Sequence, residues 1–268
     1  MKKCNYHTHT YRCMHACGSD EDYVISAIKG GYQVLGFSDH APWNYESDFV
    51  AHMRMPLVQF HEYAESIRKL KEKYRGQIEI LLGLECEYYP RYLPWLRQFL
   101  IEEQVDYIIL GNHYYESDEI ANQYYGNRCK EDLYLQRYVE GAIAAMETGL
   151  YAYMAHPDLF MRGRKVFDDQ AREASRQICE AAKRLHIPLE YNLEGAAYNA
   201  ACQIEEYPHH EFWEIAAEIG NEVVIGVDAH DPASLEREDY DRQARAYLKG
   251  LGLSILEEVS LSDYRLLR

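Results

Sequence analysis

The stretch "IEILLGLECE" occupies residues 78–87. Its middle is an almost unbroken apolar run, and its end carries acidic residues. A run without polar alternation fits a strand buried on both faces, as in a parallel sheet covered by helices. Six further stretches repeat the design: "CNYHTH" (4–9), "YQVLGFSDH" (32–40), "DYIILGNHY" (106–114), "YAYMAHPD" (151–158), "PLEYNL" (188–193) and "EVVIGVDAH" (222–230). Between them lie longer amphipathic segments of helical period, near 56–74, 92–104, 130–148, 168–186, 208–220 and 232–250. A further helix opens at "SDED", where Ser19 and Asp22 have the spacing of a capping box.

Alternation of strand and helix defines an α/β chain. A doubly wound open sheet satisfies the alternation, but it builds its site at one switch point from two or three strand ends. Here six of the seven apolar runs carry His, Asp or Glu at their C-terminal ends. Contributions from nearly every strand point to a closed barrel of about seven βα units with its site at the C-terminal rim. No Gly/Ser spacer, low-complexity linker or repeat divides the sequence, so residues 1–268 read as one domain.

Composition narrows the function. Hydrophobic residues make up 47% and charged residues 27%, as in ordinary globular proteins. A formal net charge of −16 opposes a dedicated binder of long nucleic acids, which needs a basic face. No stretch reaches the roughly 18 to 20 apolar residues of a membrane span. "MKKCNYH" has no apolar signal core, so a cytoplasmic location is expected. The seven cysteines, at 4, 13, 17, 86, 129, 179 and 202, are odd in number and scattered, which fits reduced thiols.

The histidines carry the chemistry. Of 12, seven fall in the N-terminal segment or at strand ends: His7, His9, His15, His40, His113, His156 and His230. A single histidine after a strand is more often structural than a ligand, and His52, His61, His186, His209 and His210 receive that reading. The seven together, joined by Glu85 and Asp228, form the donor set of zinc, manganese or iron. Nine groups exceed the needs of one ion, and one carboxylate can bridge two, so a multinuclear site is expected. Cys13, His15 and Cys17 offer the competing arrangement of a small zinc knuckle.

The ordered set His-x-His, a His six residues on, Asp-His, Gly-Leu-Glu, a strand-end His, His-x-Asp-Leu and Asp-x-His resembles the PHP (polymerase and histidinol phosphatase) superfamily, most closely its monofunctional histidinol-phosphatase branch. The resemblance implies a distorted (β/α)7 TIM-like barrel holding two to three divalent metals (Zn, Mn or Fe). It implies that His7, His9, Glu85 and Asp228 hold a first ion and that Glu85 bridges to a second held by His113 and His156. His15, His40 and His230 would hold a third, and Cys13 and Cys17 would merely flank it. Glu85, Asp228 and His230 are the implied catalytic residues.

The implied reaction is hydrolysis of a small phosphate monoester, first L-histidinol phosphate, by a metal-bridging hydroxide. Metals lower the pKa of bound water towards neutrality and neutralise phosphoryl charge. Arg54, in "HMRMP", and Arg162, Arg164 and Lys165, in "FMRGRK", are candidate phosphate clamps, though a solvated surface charge is the commoner fate of such residues. Asp39 and Asp158 are candidates for orienting an imidazole or for capping a helix. The chain departs from the branch after Asn192, where "YNLEGAAYNAA" has alanines in the region that often carries an arginine. The alternatives are a phosphodiesterase or exonuclease of the same superfamily, an amidohydrolase-like hydrolase, or a non-enzymatic metal-binding protein.

Overall fold

The strands of the structure run parallel and follow one another with helical crossovers. It is a computed structural model and describes residues 2–267. In chain order the elements are β1 (Cys4–Asn5), α1 (Asp20–Lys29), β2 (Val34–Phe37), α2 (Phe60–Lys73), β3 (Glu79–Cys86), α3 (Leu93–Glu102) and β4 (Tyr107–Leu110). There follow α4 (Tyr125–Arg128), α5 (Asp132–Glu147), α6 (Met161–Arg164), α7 (Asp169–Leu185), β5 (Leu189–Asn192) and α8 (Leu193–Cys202). The last are α9 (His210–Ile219), β6 (Glu222–Gly226), α10 (Glu238–Gly250) and β7 (Ser254–Ile255). One sheet has the order β1-β2-β3-β4 and the other β5-β6-β7.

Backbone hydrogen bonds link the two sheets. Ala152 N donates to Ile108 O and Ala155 N to Leu110 O, while Met154 N donates to Pro188 O and Glu190 N to Met154 O. The expected strand at 151–158 is therefore narrower than the sequence suggests, reduced to bridges at Met154. Beyond it His156 takes a positive φ of 29° and Pro157 ends the extended run. At the other margin His9 N donates to Ala229 O and Ala229 N to His7 O.

The two faces of the parallel sheet bury different things. Ile80, Leu82, Leu84 and Cys86 of β3 face the large core under the helices, whereas Leu81 joins a small inner cluster with Tyr6, Val34, Tyr107, Ile109, Tyr153 and Val224. Side chains alternate along a strand. Continuing the inner register upward from Leu81 gives Gly83 and Glu85; from Tyr107 and Ile109 it gives Gly111 and His113. From Val34 it gives Gly36, Ser38 and His40, and from Val224 it gives Gly226 and Asp228. Tyr107 fills the space that a Cβ at Gly36 or Gly83 would occupy. The apolar cluster is thus the foundation, and the polar residues at the strand ends stand directly above it.

The capping box is present, with Ser19 Oγ accepting from Asp22 N and the Asp22 carboxylate accepting from Ser19 N. The segment 56–74 opens as a 3-10 turn before α2, and 232–250 as a 3-10 turn before α10. No helix among the described residues is long and apolar enough to cross a membrane.

Candidate metal centre

The inner-face polar residues converge on a cavity of about 340 Å³. Its floor is built around Glu85. Oε2 lies 3.6 Å from His7 Nε2, 3.4 Å from His9 Nε2 and 3.0 Å from His40 Nδ1. The other oxygen, Oε1, lies 3.3 Å from His113 Nε2 and 3.0 Å from His156 Nε2. Asp228 Oδ1 is 3.3 Å from His7 Nε2 and 3.2 Å from His9 Nε2, and those two nitrogens are 3.2 Å apart. A tetrahedral ion with bonds of about 2.0–2.2 Å sets its ligand atoms about 3.3–3.6 Å apart. His7 and His9 stand at 3.2–3.6 Å from each other and from the oxygens of Glu85 and Asp228, close to that spacing.

Other polar groups fix the rings from behind. His7 Nδ1 donates to Glu190 Oε1 at 2.8 Å, and Glu190 Oε2 accepts from His156 N at 3.1 Å. His113 Nδ1 faces Glu87 Oε1 at 3.1 Å. Asp39, bonded to Thr10 Oγ1, places Oδ1 3.5 Å from His9 Nδ1. His15 Nδ1 turns to Cys13 O at 2.6 Å and His230 Nδ1 to Asp228 O at 3.0 Å, which leaves their Nε2 atoms available. The two rings stack with centroids 4.6 Å apart, and His40 lies 5.8 Å from His15.

Electrostatics separate these groups into two kinds. Burial opposes charge on His7 and His9, yet Asp228, Glu190, Glu85 and Asp39 overcome it, raising His7 well above the ordinary value and His9 to about 9. Burial also opposes charge on Glu85 and Asp228, but the surrounding imidazoles hold both carboxyls well below their usual range. Burial lowers His15, His40 and His230, the last to about 3, so these rings are neutral. Asp228 Oδ1 and His230 Nε2 are buried without a hydrogen-bond partner. Anionic oxygens, neutral imidazoles and orphaned donor atoms around one space fit divalent metal ions.

Residues 5–194 match the PHP domain family. The chain belongs to that family. It is 30% identical to the probable histidinol-phosphatase of Deinococcus radiodurans, over 87% of this chain and 88% of the relative. It is 26% identical to the probable histidinol-phosphatase of Schizosaccharomyces pombe, over 93% and 87% of the two chains. The histidinol phosphate phosphatase of Lactococcus lactis, whose crystal structure is complexed with zinc, L-histidinol and phosphate, has a similar fold. The TM-score is 0.72 at 19% identity, covering 97% of this PHP chain and 99% of that one.

Of the three arginines expected at the substrate, the PHP cavity receives one. Arg162 lines it, with Nη1 3.4 Å from the Tyr124 hydroxyl. Arg54 does not reach it: the side chain is 1% exposed and makes a forked pair with Glu87, at 2.7 and 2.9 Å, and a third contact with Asp118 at 3.0 Å. Arg164 is likewise committed, to Asp168 and Asp132, and does not line the cavity. Lys165 pairs with Glu206. Asp158 is buried beside the 209 loop, accepting from His209 N at 2.7 Å, and burial pushes its carboxyl up to about 7. Glu87 and Glu190 were not singled out in the sequence; the available signal was an acidic residue inside each of the apolar runs "LLGLECE" and "PLEYNL".

Proposed function

We propose that this protein is a metal-dependent phosphatase that hydrolyses L-histidinol phosphate to L-histidinol and phosphate, a step of histidine biosynthesis. The observation that carries the reading is Glu85, whose two oxygens face two separate sets of imidazoles in a family that includes histidinol-phosphatases. His7, His9, Glu85 and Asp228 would hold one divalent ion, Glu85, His113 and His156 a second, and His15, His40 and His230 a third. Zinc is the first choice, given the zinc complex of the Lactococcus lactis enzyme. Bound ions supply an activated water at neutral pH and neutralise phosphoryl charge.

The protein's own groups orient and exclude. Glu190 and Glu87 fix His7 and His113 through their second nitrogens, so that the inner nitrogens point into the cavity. Glu85, Asp228 and His230 would serve as the catalytic residues among the bound ions. Arg162 would grip the outer phosphoryl oxygens in place of the arginine absent after Asn192. The hydrogen bonds through Met154 and between His9 and Ala229 support a distorted (β/α)7 barrel formed by residues 1–268 as one domain. Seven free cysteines suit a cytoplasmic setting.

The test is hydrolysis by protein of measured metal content. L-histidinol phosphate is expected to turn over faster than p-nitrophenyl phosphate, with more than one equivalent of divalent metal bound. Faster hydrolysis of bis-p-nitrophenyl phosphate would overturn the monoesterase reading in favour of a diesterase.

A further inference from the structure

Above the imidazole and carboxylate floor, the cavity wall consists of Tyr124, Leu159, Arg162, Glu194, Tyr198 and Tyr207. Two of these carry charge, of opposite sign. Glu194 forms no hydrogen bond or ion pair among the described residues, and the carboxylate nearest Arg162 is that of Glu206, at 3.9 Å. Both charges nevertheless border Tyr198. That ring lies 5.9 Å from the Arg162 guanidinium and one helical turn after Glu194 on α8. A cation and an anion therefore stand on one wall without satisfying each other.

The turn that bears Glu194 is held firmly. Asn192 caps α8 by accepting from Gly195 N at 2.8 Å and donates to Asp228 Oδ2 at 3.1 Å, which ties the helix start to the floor. Gly195 lies so close to Tyr207 that an added Cβ would meet its carbonyl oxygen at 2.4 Å. A phosphate dianion placed beside Glu194 would be repelled, so the phosphate belongs with Arg162 and the floor. The opposite end of the ligand then meets a carboxylate.

We infer that Glu194 is the specificity residue that receives the protonated amine of an aminoalkyl phosphate. The assignment rests on the phosphatase reading and narrows it: the preferred phosphomonoester carries a cationic amine a few atoms from the ester oxygen. L-histidinol phosphate has that form, with the Tyr124, Tyr198 and Tyr207 rings beside its imidazole. The competing explanation is that Glu194 only favours the positive N-terminus of α8.

The decisive comparison uses L-histidinol phosphate and its des-amino analogue, 3-(imidazol-4-yl)propyl phosphate, with the metal-loaded wild type and Glu194→Gln. A charge-assisted hydrogen bond sustains a preference of about tenfold or more, so the ratio of kcat/KM between the two substrates is expected to fall by about that factor. The Kd of L-histidinol, measured by calorimetry, is expected to rise by a similar factor. An unchanged ratio together with an unchanged Kd would return Glu194 to the helix-terminus role and overturn the inference. If wild type hydrolyses neither substrate nor p-nitrophenyl phosphate, the phosphatase reading itself fails, which is a separate result.

Discussion

At the scale of single residues, Arg162, Arg164 and Arg54 looked alike in the sequence and differ in the number of carboxylates around them. Arg54 and Arg164 spend their donors on Glu87, Asp118, Asp168 and Asp132, whereas Arg162 keeps its side chain 40% exposed at the cavity. Arg162→Ala is therefore expected to lower kcat/KM for a phosphomonoester about tenfold, or about 1.4 kcal/mol of transition-state stabilisation. Arg164→Ala should leave that constant within about twofold while lowering thermal stability, so steady-state kinetics on the pair decides the matter. The seven inner imidazoles, Glu85 and Asp228 were legible because chemistry-bearing residues recurred in the N-terminal segment and at the ends of apolar runs. Glu87 and Glu190 were harder to find, because a partner of a histidine's second nitrogen needs no motif of its own. Only the folded register shows that Glu190 of β5 backs His7 across 183 positions of sequence.

At the scale of elements, long amphipathic helices and apolar strands were readable, and short ones were not. α4 and α6, four residues each, and β7, two residues, are too brief to establish a period. α8 was missed because Gly195 and Asn199 weaken its helical signal, although Asn192 serves it as a cap. Glycines in the strands have a spatial purpose. A Cβ at Gly226 of β6 would stand 1.8 Å from Glu190 Oε1, the atom that holds His7. Gly226→Ala must displace that carboxylate and should weaken metal affinity by about 10- to 100-fold, measured by competition with a chromophoric chelator. Ser19→Ala, which removes the cap of α1 and whose side chain, among the described residues, bonds only to Asp22, should cost about 1 kcal/mol of stability and leave metal affinity unaltered.

At the scale of the whole molecule, the floor gathers buried negative charge in a chain already carrying a net −16. Without metal, protons on His7 and His9 offset Glu85, Asp228 and Glu190. A group whose pKa is raised on folding contributes stability that is fully present below its unfolded value. That contribution is lost as pH rises through the folded value. For His9 the window runs from 6.5 to about 9. The Tm of chelator-treated protein is therefore expected to fall across that range, while the metal-loaded protein stays nearly level because ions have replaced the protons. Calorimetric titration with zinc at pH 7 in buffers of different ionisation enthalpy should show proton release on loading; a Tm of the apo-protein that is flat over this window would contradict the assignment.

The pairing of Asn5 with Val227, made 222 positions apart, gives this architecture an order in time. On the ribosome the segment with His7 and His9 emerges long before Asp228, which reaches the floor only when β6 docks. Bringing ends together across so long a loop is entropically slow, and contacts of such separation form late. The tight cluster of His7, His9, Glu85 and Asp228 is therefore a product of the finished chain. A nascent polypeptide displays only an open His-x-His hook, from which an ion captured early can still exchange.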